Sequence, residues 1–228
     1  MKKTLFTLNV DDYAPEIREL TYPLLKEYAY KIGAEFFEIT ERKNPSMPPV
    51  YEKMQIYDLG REMKNDWNIF IDADALIHPD FPDITTQLNK DTVCFHGKDF
   101  APIRWRYNNY LLRDGRHIGG CNWFAIASDW CLDLWHPLEV PFEEAVENIF
   151  PIAGELRTGI TREHLIDDYL TSQNIARYGL KHTTVMQMFP PEMKITPNLI
   201  FHEYIATIDE KVVLFEKVLQ KWGIKCGG

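Results

Sequence analysis

The sequence predicts an α/β fold in which helices flank a mixed, mainly parallel sheet. Over the first 80 residues, β-prone segments alternate with amphipathic helical segments, which is typical of βαβ units and a parallel sheet. The third β-prone segment also carries the unbroken apolar run Ile69-Phe70-Ile71. A strand that is covered on both faces has such a run, because neither face meets water. Helices on both faces of the sheet are therefore expected.

The elements of the first part of the chain follow from hydrophobic spacing and from turn residues. We predict, in order, a strand at residues 4–10, a helix at 15–32 that ends at Gly33, a strand at 34–40, a proline-rich loop at 41–50, a helix at 54–63 and a strand at 67–77. This order gives two strand-helix units followed by a third strand.

The elements after Pro79 have weaker signals. We predict, in order, a strand at 91–97, a polar aromatic loop or short helix at 104–116, a glycine pair and strand at 117–128, a short helix at 129–135, helices at 143–150 and 161–178 with Gly179 as a C-cap, a strand at 181–188, and an amphipathic helix at 209–222. No repeat, low-complexity tract or linker separates these elements, so one domain over residues 1–228 is expected.

The composition favours a soluble globular protein. Hydrophobic residues make up 45% of the 228 residues and charged residues 26%, which is ordinary for such proteins. The net charge of −9 argues against nucleic acid as a partner, because nucleic acids are bound through their phosphates. No apolar run reaches the roughly 18 residues of a membrane span. The four cysteines form no CxxC pair, which favours reduced thiols and a cytoplasmic location; we expect Cys94, Cys121 and Cys131 in the core.

Asp72 and Asp74 are the main functional candidates. They follow the apolar part of the third strand, and α/β sheets bind ligands outside the carboxyl ends of their strands. Side chains two apart on a strand face the same way, about 6 to 7 Å apart, so both carboxylates can converge on one cation. Such oxygen ligands suit Mg²⁺ or Mn²⁺, which hold diphosphates in many proteins. The alternative is a strand that ends in two solvated aspartates, and Asp-x-Asp alone favours that alternative.

Other acidic motifs fit this segment less well. A calcium-binding EF-hand loop needs a glycine at its sixth position, where this chain has Ile77. Phosphotransferases of the haloacid dehalogenase type also place Asp-x-Asp after an apolar strand, and their first Asp is the nucleophile. They normally use the first strand, and they carry Thr or Val where Leu76 stands. A phosphotransferase or phosphatase with Asp72 as nucleophile remains an alternative.

Four stretches, taken in order, resemble the GT-A nucleotide-sugar glycosyltransferases, particularly the small DxD enzymes of family 8 and of the galactosyl/mannosyl-transferase type. The stretches are TLFTLNVDDY for the first strand and nucleotide loop, YEKMQIYDLGREMKNDWNIFIDADALI for the helix and DxD strand, HIGGCNWFAIASDWCLDLW for the acceptor-side strand, and LIDDYLTSQNIARYG with PNLIFHEY for the late acidic helix and metal histidine. The short chain also resembles the compact glycosyltransferase domains of large algal viruses. The resemblance implies a Rossmann-like GT-A fold with a nucleotide-binding half at 1–80 and an acceptor-side half at 81–228.

The resemblance further implies a metal-dependent enzyme that transfers a hexose or deoxyhexose from a UDP-sugar to a hydroxyl of a glycan, glycoprotein or glycolipid. It implies Mn²⁺ or Mg²⁺ on Asp72, Asp74 and His202, with Asp74 as the firmer ligand. The residues it implies for the donor nucleotide and sugar are Thr7, Asn9, Asp11, Tyr13, Lys53, Asp72, Gly119 and Gly120. Tyr13 would stack on the uracil ring, and Lys53 would contact the donor phosphate or sugar.

The late helix carries Asp167 and Asp168, where related enzymes keep an acid near the reacting sugar carbon. If the enzyme inverts, one of them would activate the acceptor hydroxyl, and we favour Asp168. Each assignment has a structural alternative: these acids would simply lie on a charged helix face, Lys53 would be solvated, and Asp11 would stand at a helix N-terminus. Trp123 offers a flat face to a sugar ring, or it is a core residue.

The chain departs from the family pattern at its end. The HxxGxxKPW ending common in family 8 is absent, and Lys211 is the nearest lysine after His202. The motif therefore does not by itself identify a diphosphate-binding lysine in this chain. The basic aromatic tract at 104–116 would bind an acceptor glycan or an anionic lipid carrier, or it is a solvated loop. A non-catalytic nucleotide-sugar binder is the remaining alternative.

Overall fold

The structure of the chain is a computed structural model. It describes residues 1–97, 112–113, 116–117, 122–151, 156, 159–203 and 206–224, with the backbone alone for residues 112, 113, 116, 117 and 197. The strands are β1 (Lys3–Leu8), β2 (Ala34–Ile39), β3 (Trp67–Ile71), β4 (Ala75–Ile77), β5 (Thr92–Phe95), β6 (Leu112–Arg113), β7 (Arg116–His117), β8 (Phe124–Ser128), β9 (Lys181–Thr184) and β10 (Ile200–His202).

The helices join and cover these strands. The α-helices are α1 (Pro15–Lys31), α2 (Ile56–Glu62), α3 (Phe142–Glu147), α4 (Ile166–Tyr178), α5 (Val185–Met188), α6 (Ile195–Asn198) and α7 (Ile208–Trp222). Short 3₁₀ helices occupy Pro49–Gln55, Ile84–Thr86, Asp129–Trp135, Glu163–Leu165 and Pro191–Met193.

Six strands form the main sheet in the order β2-β1-β3-β8-β5-β9. β1 pairs with β2 and β3 in parallel, and β5 pairs with β9 in parallel. β8 is antiparallel to both of its neighbours, β3 and β5. The predicted α/β class with a mixed, mainly parallel sheet is therefore confirmed.

Side chains alternate between two hydrophobic clusters along the central strands. Leu5, Ile69 and Ile71 belong to a cluster that includes residues of α1 and α7. Phe6 and Phe70 belong to a second cluster, which includes residues of α4. Successive residues of a strand point to opposite faces, so the sheet is buried on both sides. This explains why the sequence of β3 is apolar throughout.

The predicted strand at 67–77 is wrong in one respect, because the chain forms two strands there. β3 ends at Ile71 in the main sheet, and β4 pairs antiparallel with β10 in a separate two-stranded sheet. A turn connects them, in which the amide of Ala75 donates to the carbonyl of Asp72 at 3.1 Å. Local apolar periodicity does not reveal the turn, since both strands are fully buried.

The predicted strand at 181–188 is also shorter than expected. β9 ends at Thr184, whose side chain accepts from the amide of Gln187, while the Gln187 side chain accepts from the amide of Thr184. This capping box starts the short helix α5 in place of further strand. At the end of α4, Gly179 adopts a left-handed conformation with φ of 67°, as predicted for a C-cap.

Helix starts differ from the predicted positions by one 3₁₀ turn or more. The predicted helix at 54–63 is a 3₁₀ helix, Pro49–Gln55, that continues into α2. The predicted helix at 161–178 begins as the 3₁₀ turn Glu163–Leu165 before α4. Both differences lie at helix N-termini, where 3₁₀ geometry is common.

The prediction of one domain over 1–228, with halves at 1–80 and 81–228, stays a prediction; the main sheet takes three strands from each of these ranges. Within the described ranges, no helix has both the length and the apolar character needed to cross a membrane. Cys94 and Cys131 are buried, unpaired thiols, as expected of core cysteines, and Cys121 lies outside the described residues.

Candidate functional site

A pocket of about 450 Å³ opens at the edge of the main sheet where β1 and β3 end. In α/β proteins this edge is the usual place for a ligand. The residues that line it are Leu8, Val10, Asp11, Tyr13, Pro49, Val50, Lys53, Asp72, Ala73, Asp74, Trp123, Ile160, His164, Leu165, Asp167, Asp168, His202, Ala206 and Lys211. Leu8 of β1 and Val10 of the following loop give part of this lining an apolar character. Carboxylates and lysines give another part a charged character.

Asp72 and Asp74 lie in the turn between β3 and β4 and not on a strand, which corrects the predicted strand geometry. The turn is held by the amide of Asp72, which donates to the carbonyl of Trp123 at 2.8 Å. It is also held by the Thr21 hydroxyl, which donates to the carbonyl of Ala73 at 2.6 Å. Both carboxylates line the pocket, as predicted, because the turn directs them there.

His202 reaches the same pocket from β10. β10 pairs with β4 so that His202 stands opposite Ala75, directly after Asp74. The His202 Nε2 lies 3.4 Å from Asp74 Oδ1. Its ring stacks on Trp123, with centroids 4.7 Å apart and planes 14° from parallel. The strand pairing and the stacking therefore fix the position of the imidazole beside the acids.

Asp72, Asp74 and His202 form a group that fits a divalent metal ion. One ligand atom from each residue lies within 4.8 Å of the others. Two carboxylates and an imidazole suit Mn²⁺ well, while carboxylates and water suit Mg²⁺. The charges of the turn, of α4 and of the two lysines agree with this fit. When ionised, the carboxylates of Asp72, Asp74, Asp167 and Asp168 carry four negative charges, and Lys53 and Lys211 carry two positive charges. Two negative charges are therefore left for a cation to offset.

Lys53 links the turn to helix α4. Its Nζ lies 3.0 Å from Asp72 Oδ1 and 2.7 Å from Asp167 Oδ2, and it donates to the carbonyl of Asn122 at 3.3 Å. Burial alone would lower the pKa of Lys53, but Asp167 and Asp72 outweigh burial and raise it. Lys53 is therefore a buried cation between two acids and not a solvated lysine.

Lys211 contacts Asp74 from the first turn of α7. Its Nζ lies 2.6 Å from Asp74 Oδ2, and the Tyr13 hydroxyl donates to the same oxygen at 3.3 Å. Burial favours a raised pKa for Asp74, but His202 and Lys211 together hold it well below its usual range. Burial also raises the pKa of Tyr13, to about 12, with Asp74 as the second cause. Asp74 is thus a carboxylate that is already surrounded by donors.

The pKa of Asp72 is shifted in the opposite direction from that of Asp74. Burial raises the pKa of Asp72, Lys53 opposes this, and the nearby charge of Asp74 raises the pKa further. Two like charges in one site resist ionising together. Of the two, Asp74 is therefore the acid that ionises more readily; its place as the firmer metal ligand stays a prediction.

Asp167 and Asp168 enter the pocket from the first turn of α4, where the helix dipole favours acids. Asp168 Oδ1 accepts from the amide of Asn122 at 2.7 Å, and Asp167 accepts from Lys53. Both side chains are buried, so the alternative of a solvated, charged helix face does not hold. The amide of Asn122 and the carbonyl of Trp123 thereby join α4 to the Asp72 turn.

The residues predicted to contact the nucleotide divide into two groups. Asp11 and Tyr13 line the pocket, whereas Thr7 and Asn9 are not among its lining residues. Asn9 donates to Glu38 Oε1 at 2.6 Å, and the Thr7 side chain is buried in β1. Gly119, Gly120 and most of the tract 104–116 lie outside the described residues.

The loop after β1 has an unusual backbone. Asp11, Asp12 and Ala14 have φ values of 58°, 52° and 44°. For residues with a side chain this left-handed region costs about 1 to 2 kcal/mol each. Ala14, and not an aspartate, stands at the N-cap of α1, and no side chain caps the helix. The helix start therefore does not account for the two acids, and Asp11 instead pairs with Arg42 at 2.6 Å.

Sequence analysis did not assign Lys211, His164 or Asn122 to the site. Lys211 is the nearest lysine after His202, and its helical pattern gives no reason to place it in a pocket. Its buried position is the signal that only the fold provides, since the α7 face that carries Lys211 also carries Phe215 and Leu219. Trp123 is buried, as expected of a core residue, and its ring also lines the pocket; its contact with a sugar ring stays a prediction.

Asp74 makes the stability of the metal-free protein depend on pH. Its folded pKa lies below the unfolded value of 3.8, so its stabilisation is present above about pH 4 and is lost as the pH falls further. We expect Asp74→Asn to destabilise the metal-free protein by a constant amount above about pH 5, with a gap from wild type that narrows as the pH falls from about 5 to about 2. Urea unfolding in the presence of a chelator measures this gap, and a constant gap over that range contradicts the prediction.

Comparisons with known proteins agree with this architecture. No protein-family model matches the sequence, and no curated protein matches it. Among solved structures, one described as a glycosyltransferase involved in the glycosylation of the major capsid of PBCV-1 matches with a TM-score of 0.54 and 13% identity, covering 95% of this chain and 100% of that chain. A second, A197 from STIV, matches with a TM-score of 0.41 and 16% identity, covering 80% of this chain and 81% of that chain.

At 13% identity, the first of these similarities establishes a shared fold. The predicted resemblance to the GT-A glycosyltransferase fold is thus confirmed over nearly the whole chain. The fold and the site together define an α/β protein with an Asp-x-Asp-His group in a pocket at the edge of its sheet, and its fold is shared with a structure described as a glycosyltransferase.

Proposed function

We propose that the protein is a metal-dependent glycosyltransferase that moves a hexose or deoxyhexose from a UDP-sugar to a hydroxyl of a glycan, glycoprotein or glycolipid. The observation that carries this proposal is the convergence of Asp72, Asp74 and His202 in one pocket at the strand ends of a GT-A fold. A solvated strand end would not bring a histidine from a distant strand to the same two acids.

In this proposal Asp72, Asp74 and His202 would hold Mn²⁺ or Mg²⁺. When bound, the cation would offset the negative charge on the diphosphate of the leaving UDP. The donor would lie along the pocket, with its nucleoside toward Asp11, Tyr13 and the apolar side chains of Leu8 and Val10. Thr7 and Asn9 are proposed as further polar groups near the base, although neither is among the residues that line the pocket.

The acids of α4 are proposed to act on the sugar side. Asp168 is the proposed base for the acceptor hydroxyl if the reaction inverts, because it lines the pocket from the first turn of α4. Asp167 is held by Lys53 and would position that lysine for the donor phosphate or sugar. Gly119 and Gly120 remain proposed contacts to the donor sugar. A cytoplasmic location is also proposed, in keeping with the unpaired Cys94 and Cys131.

Calorimetry with UDP tests the proposal directly. We expect UDP to bind in the presence of Mn²⁺ or Mg²⁺ and to bind far more weakly in a chelator. A screen of glucose, galactose and rhamnose nucleotides should then find a donor that is slowly hydrolysed or transferred. Equal binding with and without metal, or none in either case, contradicts metal dependence.

Two other outcomes would identify the alternatives. Phosphate release from simple phosphoesters without any nucleotide would favour a phosphotransferase or phosphatase that uses Asp72. Metal-dependent UDP binding without hydrolysis or transfer, over a broad panel of acceptors, would favour a non-catalytic nucleotide-sugar binder.

A further inference from the structure

The ammonium of Lys211 occupies the oxygen of Asp74 that faces α7. The two atoms are 2.6 Å apart, and both side chains are buried, with 5% of Lys211 and 8% of Asp74 exposed. The other oxygen of Asp74 faces His202 at 3.4 Å. Asp74 therefore has a cation on one side and a potential metal ligand on the other.

The position of the Lys211 ammonium is unfavourable unless nearby polar groups stabilise its charge. It lies in the first turn of α7, which begins after the N-cap Thr207, and the positive end of a helix dipole repels a cation. Burial of the ammonium adds a further cost. The polar partners that offset these costs are Asp74 and the Tyr13 hydroxyl. Residues that break local rules in this way are typical of functional sites.

We propose that Lys211 is a built-in counter-ion that neutralises Asp74 before a divalent cation binds and releases it when the cation arrives. This inference rests on the proposed function, because it takes Asp74 as a metal ligand. The Lys211 ammonium and the metal compete for the carboxylate of Asp74. Two cations on one carboxylate also repel each other, because they are only a few Å apart. The metal-free pocket is thereby kept stable without its cation.

The replacement of the Lys211 ammonium by the metal on Asp74 links binding of the cation to binding of the nucleotide. After release, the ammonium of Lys211 remains in the pocket that is proposed to hold the anionic diphosphate, where a negative ligand favours it. The nucleotide therefore stabilises the released state and strengthens cation binding, and the cation strengthens nucleotide binding by the same factor. Lys211 makes the binding of the two ligands cooperative, so that neither fills the site well alone.

Titration of Mn²⁺ into the nucleotide-free protein tests the competition. We expect Lys211→Met to bind Mn²⁺ roughly tenfold more tightly than wild type, because the competing charge is gone. The matched control is Lys217→Met, which removes the same charge from an exposed position six residues further along α7 and should leave Mn²⁺ affinity unchanged. The titration is then repeated with saturating UDP, where wild type should gain more Mn²⁺ affinity than Lys211→Met.

The outcomes separate this inference from the proposed function. Unchanged or weaker Mn²⁺ binding by Lys211→Met, in a protein that binds UDP with metal as wild type, overturns the inference alone. Failure of wild type to bind UDP with metal overturns the proposed function. Should Lys211→Met not fold, Lys211→Gln keeps a polar side chain for the same titration.

In wild type, ¹⁵N-labelled lysine NMR with Mg²⁺ gives a second readout: the inference requires the Lys211 ammonium signal to shift, and an unchanged signal overturns it.

Discussion

Replacing Asp74 with asparagine is expected to abolish metal-dependent UDP binding and to lower sugar transfer by about a thousandfold, or ~4 kcal/mol. Asparagine has the same shape but no charge, so it removes a carboxylate whose pKa is held well below its usual range. The variant also leaves the buried ammonium of Lys211 without its carboxylate. Both losses arise at the same carboxylate, which is why this substitution has the largest expected effect on function.

The control lies in the same segment. Asp80→Asn removes an exposed acid that is outside the pocket and pairs with Lys31, and it should leave UDP binding and transfer unchanged. Calorimetry with UDP and Mn²⁺ and a transfer assay measure both variants. The double variant Asp74→Asn, Lys211→Met removes the unpaired charge, so it should regain stability without regaining metal binding. Full transfer activity in Asp74→Asn would show that Asp74 is not a metal ligand.

The sequence was sufficient for the parts of the site that depend on local patterns. The apolar run of β3 and the acids that follow it placed Asp72 and Asp74 at a strand end, and the short run before His202 indicated β10. Their meeting in one pocket agrees with the expectation. Spacing along the chain does not give this meeting by itself, since the pairing of β10 with β4 depends on the tertiary fold.

The lysines could not be placed in the same way. Lys211 meets Asp74 across 137 residues, and Lys53 meets Asp167 across 114 residues. A lysine within an amphipathic helix has the same local pattern whether it is solvated or buried beside an acid. The packing of α7 against α1, and of the 3₁₀ helix Pro49–Gln55 against α4, decides between these states. The split of the predicted third strand was missed for a related reason, because the partner of β4 comes from the far end of the chain.

Replacing Lys53 with methionine is expected to lower the free energy of unfolding by about 3 to 5 kcal/mol, since removal of one partner from a buried ion pair leaves an uncompensated charge. Lys53 is 4% exposed and lies within 3.0 Å of Asp72 and 2.7 Å of Asp167. Methionine keeps most of the volume, so the loss reports on charge and not on a cavity. Without the ammonium, the two acids face each other in a buried site, and at least one must take up a proton.

Urea unfolding near neutral pH, with a chelator present, measures this loss. Lys181→Met is the control, because Lys181 pairs with Asp91 at the surface, where solvent weakens the interaction, and it should leave stability nearly unchanged. The double variant Lys53→Met, Asp167→Asn removes one of the stranded acids and should recover a large part of the lost stability. If Lys53→Met is as stable as Lys181→Met, or if the double variant is less stable than the single one, Lys53 does not balance the acids of this pocket. Added Mn²⁺ provides a second test, because a cation on Asp72 should stabilise Lys53→Met more than wild type.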